Sequence, residues 1–268
     1  MHKIAAFMVV KDDAYYIDMA LKSVLPYVDG VYIQDQNSTD GTLDKILEVG
    51  SDPDYADKIF VDILDTGIER RFAMEYDEPK YRSMAVTRTE ELFSPDWILK
   101  LDADEIYTEQ FFDNLYRYNL DHYNGVRVSG DRFISPTYRS VHPTSIEMSP
   151  VGKVFIDPHT QLWRAGRGHN YVPNPGFTRF HPILMPNPEP LLWLPGICNV
   201  HLHRTFGPKA LEFWAEGGET KMVGPPYHPP TMAPNWYYSS ANMGNAEEVK
   251  FEWPPYVMDR WIEWGVWA

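Results

Sequence analysis

The sequence has little of several things that would narrow its function at once. A single cysteine, Cys198, in 268 residues excludes an intrachain disulfide and any cysteine-based zinc cluster, in keeping with a reducing compartment. No apolar run approaches the ~18 residues of a membrane span, and the opening MHKIAAFMVVKDD turns charged too early for a secretory signal, so a cytoplasmic protein is expected. Basic residues are scarce: 24 Lys and Arg against 38 Asp and Glu leave a formal charge of −14. The positive footprint of a nucleic-acid binder is therefore missing. No period of 20 to 50 residues repeats and no long polar linker divides the chain, so one domain is expected.

Proline is scarce at first and then abundant. Only four of the 23 prolines precede residue 130, whereas eight of nine tryptophans follow residue 140. The reading is a regular half, 1–130, and an irregular Pro- and Trp-rich half, 131–268, of the same domain.

The first half alternates strand and helix signals. Ile4 to Val10 is an apolar run of strand length, and Ile17, Ala20, Leu21, Val24 and Leu25 then share one helix face. Val31 to Ile33 followed by Leu43, Ile46 and Leu47, then Ile59 to Leu64 followed by Ala85, Thr89, Leu92 and Phe93, repeat the unit, and Trp97 to Leu101 gives a fourth strand. Buried strands separated by helices predict an α/β fold with a mostly parallel central sheet, a Rossmann-like half. Thr108 reads as the cap of another helix and Val126 to Ser129 as a further strand.

The acids stand at strand ends. Asp102 and Asp104 close the run WILKL, with Glu105 next. Carboxylates at the C-terminal edge of a central strand lie where an open α/β sheet receives its ligand, and a pair there suits a hard cation such as Mg²⁺ or Mn²⁺. Such a cation would let an acidic chain hold a diphosphate. Asp35 ends the second strand, before the turn QNSTDGT, where an acid can accept hydrogen bonds from a nucleoside. Further along, Val200-His201-Leu202-His203 puts two imidazoles on one side of an extended segment. Either could complete a metal shell.

Strand one running into MVVKDD, the IQDQNSTDGT turn, Arg82 before strand four, and WILKLDADE together resemble a GT-A glycosyltransferase of the family 2 type, over about residues 3 to 120. The resemblance implies a transferase moving a sugar from a nucleotide-diphosphate donor to a hydroxyl acceptor such as a glycan, with Mn²⁺ or Mg²⁺ on the diphosphate. Carried over, Val10, Lys11, Asp12, Asp35, Arg82, Asp102 and Ala103 would hold the donor, and Asp102, Asp104, His201 and His203 are the metal candidates. Ser83 stands where that family usually has Asn, and Gly67 to Lys80 reads as an extra loop near the donor. An inverting displacement needs a carboxylate base, for which Asp131 and Asp157 are the candidates. Retention is the alternative outcome.

Trp163, Trp193, Trp214, Trp236, Tyr237 and Tyr238 are candidate sugar platforms, and Trp261, Trp264 and Trp267 a helix edge; peripheral membrane contact stays open. Rival readings are a haloacid-dehalogenase-like phosphatase using Asp102 as nucleophile and a non-catalytic carbohydrate-binding protein. The first is disfavoured because three β-α units precede Asp102.

Overall fold

A computed structural model describes residues 2–67, 77–128, 130–135, 138–140, 146–149, 152–155, 160–173, 182–202 and 246–263. The first apolar run forms β1 (Ile4–Val10), buried along its whole length. It is followed by α1 (Ile17–Val24), β2 (Gly30–Asp35), α2 (Thr42–Gly50), β3 (Ile59–Ile63), α3 (Glu78–Phe93) and β4 (Trp97–Lys100). Every strand and helix expected in this stretch is present. Of the expected extra loop, residues 68–76 lie outside the described residues, and Glu78 to Lys80 belong to α3: Asp77 caps that helix by accepting from the Lys80 amide, with Pro79 in the first turn.

Next come β5 (Glu105–Tyr107), α4 (Glu109–Arg117) and β6 (Gly125–Arg127). Thr108 does precede α4, but its hydroxyl donates to the Ile197 carbonyl at 2.6 Å instead of capping the helix. The second half contains regular structure that proline density hid: β7 (Gly130–Ser135), β8 (Tyr138–Ser140), β9 (Ile146–Ser149), β10 (Gly152–Phe155), β11 (Leu162–Arg164), β12 (Asn170–Val172), β13 (Ile183–Met185), β14 (Leu191–Trp193), β15 (Asn199–His201), β16 (Ala246–Glu248) and α5 (Pro255–Glu263). Most of these strands are three or four residues long, too short to show a period in sequence.

The central sheet has seven strands in the order β14-β6-β11-β4-β1-β2-β3. The run β4-β1-β2-β3 is parallel throughout, and β11 enters antiparallel between β4 and β6. The fold is thus α/β with a mostly parallel central sheet. β3 departs from expectation: it is the edge of this sheet among the described residues, and Phe60 and Ile63 are exposed.

Helices cover both faces. Ile4, Ala6, Met8 and Val10 of β1 pack with Ile17, Leu21, Val24 and Ile46 of α1 and α2 on one side, and Ala5, Phe7 and Val9 with Ala85, Val86 and Phe93 of α3 on the other. At the start of β2, the Phe93 ring occupies the place where a side chain on Gly30 would stand. Gly30→Ala is therefore expected to lower stability by about 1–3 kcal/mol through overpacking, measured by urea unfolding; an unchanged midpoint would show that the ring moves aside freely.

A second sheet, β16-β8-β7-β15-β5, is joined to the first through the residues between β4 and β5. Under it α5 packs Val257 and Trp261 against Tyr16, Met19, Ile106, Val200 and Leu202, and Arg260 pairs with Asp18 at 2.7 Å. The C-terminal helix thereby braces the two strands that flank the acidic strand end. Trp163 is a core residue and not an exposed platform, lying against Phe7 and Tyr171, while Trp261 is buried on α5, a helix as expected. Trp193 is half-buried. Trp214, Trp236, Tyr237, Tyr238, Trp264 and Trp267 lie outside the described residues. No helix among the described residues is long and apolar enough to cross a membrane.

Candidate active site

In the sheet order, β1 leads to β2 on one side while β4 lies on its other side. In open α/β sheets such a reversal marks the carboxyl ends of the two strands, here β1 and β4, as the position where ligands are taken. The segments Val10 to Asp13, Asp35 to Asp40 and Asp102 to Glu105 all belong to strand ends at that edge.

The first two segments fasten each other. Lys11 Nζ donates to the carbonyls of Gln36 (3.2 Å) and Asn37 (3.1 Å). The Asp12 amide donates to Ser38 Oγ at 2.9 Å, and Asp12 Oδ1 accepts from the Thr39 amide at 2.8 Å. Asp12 and Asn37 both take positive φ, at 55° and 60°, a conformation that short polar side chains tolerate best. Asp35 is buried and its Oδ1 accepts from the Ser38 amide at 2.9 Å, so its carboxylate organises the turn. Val10 is a core residue whose carbonyl accepts from the Gln36 amide at 2.9 Å.

The third segment carries a network of charges. Arg82, in the second turn of α3, sets Nε 2.8 Å from Glu78 Oε1 and Nη1 2.9 Å from Asp102 Oδ1. Lys100, fully buried on β4, sets Nζ 2.9 Å from Asp102 Oδ2 and 3.0 Å from Glu105 Oε1. Glu105 Oε2 also accepts from the Asp102 amide at 3.3 Å. Burial by itself would lower the Arg82 pKa, but Asp102 and Glu78 outweigh it and hold the guanidinium well above its ordinary value. Arg82 is permanently charged. Ser83 accepts from the Tyr171 amide at 2.9 Å and donates to the Tyr171 carbonyl, tying α3 to β12 beside the Arg82 guanidinium.

Asp104 faces a different partner. Its Oδ2 lies 3.0 Å from His201 Nε2, while its carbonyl accepts from the Leu202 amide at 2.9 Å. β15 brings this imidazole to the strand end by pairing antiparallel with β5, His201 opposite Glu105. The Asp104 and His201 side chains are 17% and 22% exposed, the solvent access a ligand requires. One carboxylate oxygen and one imidazole nitrogen at a common point suit Mn²⁺ or a similar dication, with coordination positions left for ligand oxygens. No group of three or more His, Cys, Asp and Glu poised around one point occurs among the described residues. Ala103, between the two aspartates, is core.

Of the remaining candidates, Asp131 is on β7, whose parallel pairing with β15 sets it opposite Val200, next to His201 in sequence. Asp157 and His203 lie outside the described residues. Sequence reasoning missed Glu78 and Lys100. Glu78 stands four residues before Arg82, an ion-pairing separation on a helix, and Lys100 is the one charge inside an apolar strand. Both signals were present.

No protein-family model and no curated protein matches the chain. Among solved structures, the chain is similar to mannosyltransferase PcManGT from Pyrobaculum calidifontis in complex with GDP-Man and Mn²⁺, at 15% identity and TM-score 0.37 over 48% of this chain and 36% of that one. It is also similar to glucosyl-3-phosphoglycerate synthase from Mycobacterium tuberculosis. The complex with Mn²⁺, UDP and glucosyl-3-phosphoglycerate gives 17% identity and TM-score 0.35 over 47% and 43% of the two chains. The complex with Mn²⁺, UDP-Glc and phosphoglyceric acid gives 15% and 0.36 over 49% and 44%. The chain therefore spans less than half the length of each of these proteins.

Proposed function

We propose that the protein is a dication-dependent glycosyltransferase that takes a sugar from a nucleoside-diphosphate donor to a hydroxyl acceptor. The observation that carries this reading is the meeting of Asp104 and His201 at 3.0 Å beside the carboxyl end of β4. A chain of charge −14 repels a diphosphate unless a cation intervenes, and this pair supplies an oxygen and a nitrogen for one. Bound there, the dication would stabilise negative charge on the departing diphosphate. Lys11, Asp12 and the turn after Asp35 would form the nucleoside side of the site, and Asp102, fixed by Arg82 and Lys100, would face the ribose. Asp131 and Asp157 are the candidates for removing the acceptor proton in an inverting displacement.

Two donor atoms make a weak site for a free ion, so metal and diphosphate should bind together. Calorimetric titration with UDP, GDP and dTDP is expected to show binding of at least one in the presence of Mn²⁺ and loss of most of it without the metal. Tight binding independent of metal, or none of the three bound, would refute the proposal. Hydrolysis of a phosphomonoester that Asp102→Asn abolishes would instead favour a phosphatase.

A further inference from the structure

Between α3 and the edge strand β3, a groove of about 510 Å³ runs along the flank of the central sheet, within the size range of small-molecule sites. Tyr32 and Gln34, alternate residues of β2, line it; Asp62 of β3 forms one wall, and Met84 and Arg88 of α3 stand in the other. None of the segments Val10 to Asp13, Asp35 to Asp40 and Asp102 to Glu105 lines it. The groove and the strand-end site therefore share the helix α3 but none of those residues. One polar contact in the groove is left unmade. Gln34 is 2% exposed, and its Nε2 has no hydrogen-bond partner among the described residues, a costly state for a buried amide. Gln34 opposes Asp62 in the parallel register of β2 and β3, so both side chains project from the same face. The Tyr32 hydroxyl donates to Asp62 Oδ2 at 3.1 Å, and Arg88 Nε approaches the same oxygen at 3.4 Å. Burial, and next Asp62, push the Tyr32 phenol above its ordinary value, so it stays the donor. Both contacts use Oδ2, and Oδ1 retains its accepting capacity.

We infer that this flank groove is a saccharide-binding site, which takes a neutral polyhydroxyl ligand of one or two sugar rings with a hydroxyl between Gln34 Nε2 and Asp62. The inference does not rest on the proposed transfer reaction or on a metal. Charge among the described lining residues cancels, Lys80 and Arg88 standing against Asp62 and Glu91, and Arg88 is engaged by both acids. A phosphate or nucleotide meets no net positive field there. A purely apolar ligand would leave the Gln34 amide unsatisfied. A hydroxyl serves both polar groups at once, because it accepts from an amide N–H and donates to a carboxylate oxygen. Apolar surface for the C–H face of a sugar ring comes from Met84 and from Phe60, which opposes Tyr32 in the strand register; both are exposed.

The test is a titration of the full chain, free of metal and nucleotide, with glucose, galactose, mannose, maltose and cellobiose, followed by saturation-transfer NMR, with glucuronate as the charged control. At least one of the neutral sugars should bind in the millimolar range or tighter, and glucuronate should bind no more tightly than glucose. Gln34→Met, which fills a similar volume without the amide, should weaken the bound sugar by about three- to tenfold. Asp62→Ala should weaken it by roughly tenfold or more, as expected for a hydrogen bond to a charged group. UDP with Mn²⁺ should not compete. Gln34→Met should melt no lower than wild type, since it replaces an unsatisfied buried amide by an apolar group, so that lost binding is not lost folding. Should it nevertheless unfold, Asp62→Ala, at an exposed position, decides the matter. Binding of none of the neutral sugars overturns the inference, as do tighter binding of glucuronate, competition by UDP with Mn²⁺, or unchanged affinity in a folded Gln34→Met or Asp62→Ala variant.

Discussion

Arg82→Met is expected to lower the unfolding free energy by about 3–5 kcal/mol, the usual consequence of removing one partner from a buried ion pair. The guanidinium joins Glu78 on its own helix to Asp102 at the end of β4; Arg82 and Glu78 are buried, and Asp102 is half-buried. Methionine fills much of the volume but leaves Glu78 facing no cation from this direction and Asp102 held by Lys100 on one side only. At roughly 2–4 °C per kcal/mol for a chain of this size, the melting temperature should fall by roughly 10 °C. Arg82→Lys should recover part of the loss, since one ammonium cannot span two acids as the guanidinium fork does. The contribution should be insensitive to pH through the guanidinium. Its folded pKa is raised above the ordinary value, so the stabilisation is complete below the unfolded pKa and declines only at higher, strongly alkaline pH. A loss within 1 kcal/mol would mean that Glu78 and Asp102 find water or other cations, and the network would no longer explain the rigidity of the strand end.

Asp104→Asn is expected to separate activity from stability. Its partner is a single imidazole and both side chains retain solvent access, so the change in unfolding free energy should stay within about 1 kcal/mol. Donor turnover, measured as released nucleoside diphosphate, should fall on the order of 10²–10³-fold, the scale of losing a principal stabiliser of developing negative charge. High Mn²⁺ should restore little of it, because the amide oxygen is a neutral and weaker ligand. His201→Ala should act in the same direction with a smaller effect, since the carboxylate carries the charge. Retained turnover in Asp104→Asn would remove this residue from the metal and with it the central contact of the proposed site.

The regular half of the fold was legible because its elements are long and their periods clear. Ile4 to Val10 must be a buried strand, and the spacing of Ile17, Leu21 and Val24 admits only a helix face turned to it. Three such units already imply parallel pairing and a ligand at the carboxyl ends of the strands. β3 was misread as buried on both faces because an apolar run does not reveal whether it has one neighbouring strand or two. The short strands from β7 onward escaped for a related reason: three residues hold no period, and β11 and β15 are strands only because β4, β6 and β5 offer them hydrogen-bonding edges.

The same division runs through the site. Chain order by itself determined that acids stand at the ends of β2 and β4, that a histidine lies in an extended stretch far downstream, and that the overall charge disfavours nucleic acid. Only the tertiary structure decided that Asp35 is tied into its turn, that His201 meets Asp104, and that Asp102 is fixed between Arg82 and Lys100. Strand alternation and helix periodicity act over a few residues and so can be read along the chain. Contacts between residues 82 and 102, or 104 and 201, depend on which strands become neighbours, and that is set by the packing of the whole sheet.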